Sequence, residues 1–117
     1  MPHAATATSE IQECIDLCIQ CRQACKETLS HCIKMGGKHV EPAHLQTLID
    51  CAVLCHASAD LMTGGSPLHG KECGVCAEAC RRCAESCARV GNGDEAMARC
   101  AEVCNRCAES CESMSRM

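Results

Sequence analysis

The chain has 117 residues, a formal net charge of −4, 16 Cys, and no Phe, Tyr or Trp. Its 47% apolar content is mostly Ala and Cys, 16 of each, while Leu, Ile and Val together number 17. This excludes an ordinary aliphatic–aromatic core and a nucleic-acid surface built from basic patches and stacking rings, so either cysteine is the core or the chain does not fold alone.

No apolar run approaches the roughly 18 residues a transmembrane helix needs, so no membrane partner is expected. The first ten residues lack a basic region followed by an apolar stretch, so no secretory signal is expected either. The compartment implied is the reducing cytoplasm, where a disulfide scaffold would not persist.

In chain order, residues 1–8 are expected to be a disordered tail that contains His3. Helix 1 is expected over about residues 9–36. Ser9-x-x-Gln12 is a capping-box start, and Gly36-Gly37 a stop. It carries Cys14, Cys18, Cys21 and Cys25, with Cys32 seven residues on. Helix 2, about 42–63, begins at Pro42 and stops at Gly64-Gly65. Extending the seam of Cys51 and Cys55 along it gives His44, Leu48, Ser58 and Met62. Helix 3, about 67–90, starts from Ser66-Pro67 and carries Cys73, Cys76, Cys80, Cys83 and Cys87. Helix 4, about 94–115, is capped by Asp94 and carries Cys100, Cys104, Cys107 and Cys111. Residues 76–87 and 100–111 agree at ten of twelve positions.

Steps of three and four alternate along these cysteines, the seam of a helix packed in a bundle; disulfide scaffolds space theirs irregularly. Short connections make sequential helices antiparallel neighbours. The fold class is therefore all-α: an antiparallel up-down-up-down four-helix bundle, residues 9–117, with a Cys-lined core. Glu78–Arg82, Glu85–Arg89 and Glu102–Arg106 have the spacing of exposed i,i+4 pairs.

Residues three or four apart on a helix have Cβ atoms about 5–6 Å apart on one face. A linear sulfur–metal–sulfur unit spans about 4.6 Å if each bond is about 2.3 Å, as for zinc. Neighbouring seam cysteines can thus clasp a two-coordinate ion, and soft sulfur donors select Cu(I). Charge favours the same ion. Four tetrahedral zinc sites on sixteen thiolates would leave about eight uncompensated negative charges in an apolar interior. No Lys or Arg lies on the seams to offset them. With bridging thiolates, about sixteen Cu(I) ions give a neutral core. Empty, the buried thiols stay protonated and pack as small hydrophobes, so a bundle folded before metal arrives is expected. Inert core filler, zinc storage and a thiol redox protein are the alternatives. Redox chemistry of the thioredoxin kind needs a helix N-terminus to depress a thiol pKa, whereas most of these pairs sit mid-helix. The ferredoxin cysteine run is absent.

From Cys14 to Cys111 the chain resembles the bacterial copper storage proteins, the cysteine-rich four-helix-bundle family, and their cytosolic branch in particular. The resemblance rests on Cys14-x3-Cys18-x2-Cys21-x3-Cys25, the loop Gly65-Ser66-Pro67-Leu68-His69, and the twin Cys-Ala-Glu-x-Cys-x-x-Cys-Ala-Glu-Ser-Cys helices. It implies many Cu(I) ions stored on inward cysteines in the cytosol by a protein that is not an enzyme. It also implies a homotetramer. Donor and acceptor proteins are unknown.

The resemblance fails at one place: histidines around the helix 3–helix 4 turn, where copper is thought to enter, are missing from Val90–Met97. Met35, His39, His44 and Met97 are expected near that end of the bundle and are the suggested replacements, with His44 on the seam; ordinary surface and end-of-core residues are the alternative. At the opposite end stand Met62, His69 and Met114. His69 lies four residues before Cys73 and is a candidate ligand, with a first-turn capping role as the alternative. His31 and His56 sit beside seam cysteines but off the seam, as partly exposed histidines. Leu17, Ile19, Val53 and Leu54 are off-seam apolar residues, candidates for contacts between bundles.

Overall fold

The computed structural model describes the backbone of residues 2–117, and side chains from residue 9 onward. Four helices, α1 (Pro2–Met35), α2 (Pro42–Thr63), α3 (His69–Val90) and α4 (Glu95–Ser115), are joined by short connections. The first connection contains a 3-10 turn, Gly37–Val40. Each helix packs on the one before it, and α1 closes the ring against α4. This is the expected up-down-up-down bundle. Its long dimension of 53 Å matches the 34 residues of α1 at about 1.5 Å each.

Two helix starts differ from expectation. Residue 1 and the side chains of residues 2–8 lie outside the described residues, but the backbone from Pro2 to Thr8 is helical rather than a disordered tail. The Ala-rich stretch favours helix and Pro2 suits a first position, so the chain is already wound when it reaches Ser9. The capping box therefore has no helix end to cap, and Gln12 donates to Asp16 Oδ1 at 2.9 Å. The third helix begins at His69, two residues later than expected. Ser66 Oγ accepts from Leu68 N at 3.1 Å, closing a local turn instead of capping the helix.

The stops fall where the glycines predict. The Ser66 amide reaches Leu61 O at 2.9 Å and the Gly65 amide reaches Met62 O at 3.2 Å, a Schellman pair with Gly65 at φ 68°. Gly91 answers a different demand. A Cβ there would lie 2.3 Å from Met97 Cβ, so the turn between α3 and α4 closes only because this residue has no side chain. Asp94 caps α4 as expected, its carboxylate accepting from the Met97 amide at 3.2 Å.

Each cysteine is at most 1% exposed, and they form one cluster with Leu48, Met62, Met97 and Met114. The seam read for α2 holds throughout: His44, Leu48, Cys51, Cys55, Ser58 and Met62 are all buried. Among the described residues, Glu78–Arg82 pairs at 2.8 Å, whereas Arg89 turns to Glu41 at 3.8 Å and Glu102–Arg106 makes no pair. No described helix is long and apolar enough to cross a membrane.

Candidate metal centre

Cysteines three or four positions apart put a column of sulfur on the inner faces of α1, α3 and α4, α2 adds Cys51 and Cys55, and all meet on the bundle axis. All sixteen thiols are free. A continuous path of sulfur contacts threads twelve of them. It runs Cys14–Cys111 (3.8 Å), Cys111–Cys18 (3.6 Å), Cys18–Cys107 (3.8 Å), Cys107–Cys55 (3.8 Å) and Cys55–Cys80 (3.8 Å). It continues through Cys80–Cys51 (3.5 Å), Cys51–Cys21 (3.7 Å), Cys21–Cys104 (3.8 Å), Cys104–Cys25 (3.8 Å) and Cys25–Cys83 (4.0 Å). Cys76 joins at Cys55, 3.7 Å away. Cys21, Cys25, Cys51 and Cys104 place their sulfurs within 4.8 Å of one another, as do Cys25, Cys83, Cys100 and Cys104.

These separations suit a soft ion. A linear unit needs sulfurs about 4.6 Å apart and a planar three-sulfur site about 4.0 Å, taking bonds of about 2.3 Å. Contacts of 3.5–4.0 Å therefore open by at most about 1 Å on loading, within reach of side-chain rotation.

The thiols split in direction: hydrogen bonds from neighbouring cysteines hold Cys14, Cys21, Cys51, Cys76, Cys100 and Cys107 below the ordinary thiol value, and others are held above it. Burial, followed by the nearby Asp94 carboxylate, pushes Cys32 up to about 11. Cys55 and Cys104 are held far above the usual thiol range, by hydrogen bonds with Cys107 and Cys100 respectively before any other cause, with burial adding to both.

At the α3–α4 turn, beyond that path, Cys32 stands among mixed donors. Cys32 Sγ lies 3.4 Å from His44 Nε2 and 3.6 Å from Met97 Sδ. His44 Nδ1 is 2.7 Å from Ser86 Oγ, and burial holds its pKa below the ordinary histidine value, so the ring is neutral at pH 7. Of the four residues expected to gather at this mouth, His44 and Met97 are fully buried, His39 is engaged by Asp94, and Met35 is 56% exposed. Ser86 and the wider role of Asp94 were not legible beforehand. Ser86 looks like filler beside Cys87, and Asp94 like a helix cap alone. In the structure Asp94 Oδ2 also meets His31 Nε2 at 2.7 Å and His39 Nε2 at 3.0 Å.

At the opposite end Met62 and Met114 close the core. His69 is half-buried and contacts no cysteine among the described hydrogen bonds; its Nδ1 is buried without a partner, as is Glu72 Oε2. Ser58 donates to the other Glu72 oxygen, and burial pushes the Glu72 carboxyl up to about 7. Glu72 was not singled out in the sequence because it lies beside the seam. His56 is exposed and pairs with Asp60 at 3.4 Å.

Known proteins share this fold. The model of the copper storage protein family matches residues 7–116. The chain belongs to that family. Among solved structures, a Nitrosospira multiformis protein is 40% identical, with TM-score 0.87, over 93% of this chain and 97% of its own. The Cu(I)-bound copper storage protein BsCsp3 of Bacillus subtilis is 30% identical, with TM-score 0.82, over 91% of this chain and 98% of its own. A cytosolic copper storage protein from Streptomyces lividans, carrying five coppers, is 26% identical, with TM-score 0.81, over 93% of this chain and 94% of its own. The uncharacterised cysteine-rich protein YhjQ of Bacillus subtilis is 31% identical over 59% of this chain, a match spanning 64% of that relative.

Proposed function

We propose that this member of the copper storage family holds many Cu(I) ions per bundle, about one per cysteine, and does so in the cytosol. The observation carrying this is the run of twelve contacting sulfurs along the bundle axis, among sixteen thiols that are all free and buried. The cytosol fits because sixteen free thiols persist only under reducing conditions, and the Streptomyces lividans relative is described as cytosolic. The role is sequestration and supply, without catalytic turnover.

His44 and Met97 serve as the terminal donors through which copper reaches Cys32. Support comes from their distances to its sulfur, and from Ser86, whose hydroxyl at Nδ1 fixes the orientation of the His44 ring so that Nε2 faces that sulfur. His69 plays the corresponding part at the other end, supported by its unpartnered buried Nδ1. Assembly as a homotetramer is supported by the exposed side chains of Ile19 (54%) and Val53 (60%), which no neighbour in the bundle covers.

Anaerobic titration of the reduced, metal-free chain with Cu(I) and Zn(II), in competition with a chromophoric Cu(I) chelator, tests the reading. Binding of about one Cu(I) per cysteine is expected. Saturation near four ions, with Zn(II) preferred, would establish the zinc alternative, and tight binding of neither metal the redox alternative. Circular dichroism before metal addition should show full helicity; a random-coil spectrum refutes a preformed store.

A further inference from the structure

Outside the sulfur core lies a second cluster of donors that copper storage does not use. Three segments meet above the α3–α4 turn: the last turns of α1 with His31, the 3-10 connection with His39, and the N-cap of α4 with Asp94. Both imidazole Nε2 atoms point at one carboxylate oxygen, Asp94 Oδ2, at 2.7 and 3.0 Å. The rings stand edge to face, with centroids 5.8 Å apart. Asp94 Oδ1 is occupied by the Met97 amide, which fixes the carboxylate from behind. The side chain of His39 is 16% exposed, that of Asp94 14% and that of His31 32%, so the cluster is sheltered but open to solvent on one side.

We propose that His31, His39 and Asp94 form a separate site for a borderline divalent cation of the Zn2+ class, chemically distinct from the Cu(I) store. Two imidazoles and a carboxylate are borderline-to-hard donors that suit Zn2+, whereas soft thiolate and thioether suit Cu(I). Bonds of about 2.0–2.2 Å to nitrogen and oxygen, at angles between 90° and 109°, place nitrogen and oxygen about 2.9–3.4 Å apart. The two present separations need to widen by only a few tenths of an ångström. In the tautomer with the proton on Nδ1, each ring presents its Nε2 lone pair to the ion. Three protein ligands leave a fourth position to water on the open side, and the bound ion ties together the three segments that cover His44 and Met97.

The test is nitrogen NMR of the histidine rings as Zn2+ is added. It is run on Cu(I)-loaded protein, whose thiols are occupied, and in parallel on the reduced metal-free chain with Zn2+ in excess of what the thiols take. Coordination should shift the Nε2 signals of His31 and His39 together, leaving exposed His56 unchanged. Asp94→Asn keeps a good N-cap and removes the anionic ligand, so it should weaken Zn2+ binding about tenfold or more while helicity is retained. His39→Gln should do the same without touching the cap. Unmoved His31 and His39 signals, or undiminished Zn2+ binding in both variants, overturn the site and show the cluster to be a hydrogen-bonded clamp only. Failure to load Cu(I) would count against the storage reading alone, because the metal-free arm still reads these two rings.

Discussion

The two ends of the bundle are built from similar parts and finished differently. Each is closed by methionine, with a histidine at or beside the end of a cysteine column. At the α3–α4 turn each of these donors has a partner: His44 meets Cys32 and Ser86, and Met97 meets Cys32. At the α2–α3 turn His69 Nδ1 and Glu72 Oε2 are buried with none. The first end holds its groups in fixed directions before any ion arrives. The second carries unmet polar demand, which costs stability and keeps a carboxyl protonated near neutral pH. Between them lies a core in which every donor is a thiol; on the proposed function, capacity belongs to the middle and control of passage to the ends.

The largest effect tests that division of labour. Replacing Cys21, Cys51 and Cys104 together by Ser removes three of four sulfurs lying within 4.8 Å of one another. Copper capacity should fall by about three ions or more, since bridging thiolates are shared. His44→Ala combined with Met97→Ala should instead leave capacity within about one ion and slow uptake several-fold. Stopped-flow transfer from a Cu(I)–chelator complex reads both quantities. Unchanged uptake kinetics in the double variant would remove the passage role from that end.

Glycines distinguish the ends next. At Gly91 a methyl group would collide with Met97 Cβ, which is bonded directly to the backbone and cannot swing aside. Gly91→Ala should therefore lower the stability of the reduced, metal-free protein by about 1–3 kcal/mol in urea. At the other end Gly74 lies inside α3, and an added Cβ would meet Ser115 Cβ at an ordinary 3.6 Å. Gly74→Ala should raise stability by about 0.5–1 kcal/mol, because a helical glycine is replaced by the best helix former. Equal signs for the two substitutions would mean that the turn at Gly91 relaxes easily.

The bundle was legible because its signal is redundant. Sixteen cysteines at steps of three and four fix four inner faces, and α2 kept the register through His44, Leu48, Ser58 and Met62 although only Cys51 and Cys55 remained to mark it. Contacts between elements were not legible. Ser86 reaches His44 across 42 positions and Asp94 reaches His31 across 63, and nothing local to either residue marks its partner. The two misplaced helix starts share one cause. A capping signature says that a serine can cap, but whether a helix begins there depends on the residues before it: Ala-rich ahead of Ser9, a glycine turn ahead of Ser66.

Titration should separate the ends again, with opposite signs. Glu72 has its folded pKa raised from 4.5 to about 7, by burial first. Its contribution to stability is present below pH 4.5 and lost as pH rises through about 7. His44 has its folded pKa lowered beneath 6.5, again by burial first. Stability linked to it is complete above pH 6.5 and falls on acidification, as the unfolded chain takes up a proton that the folded ring refuses. Urea midpoints of the metal-free protein between pH 5 and 8 should therefore lose their alkaline decline in Glu72→Gln and their acid decline in His44→Gln. If one substitution removed both slopes, the two ends would be coupled through the thiol path.

The smallest effect comes from the charged surface, where the ends should be indistinguishable. Arg89 reaches Glu41 at 3.8 Å on the α3–α4 turn side, and Arg81 pairs with Glu112 across α3 and α4 toward the other end. All four side chains are well exposed, between 39% and 60%, so attraction is screened and ordering the long side chains offsets most of it. Glu41→Gln and Glu112→Gln should each cost less than about 1 kcal/mol, and 1 M salt should abolish the difference from the parent chain. Urea denaturation at low and high salt measures it. A larger, salt-insensitive loss in Glu41→Gln alone would show that the turn end depends on an outer ion pair to hold α2 against α3, and that its internal partners do not suffice to keep it closed.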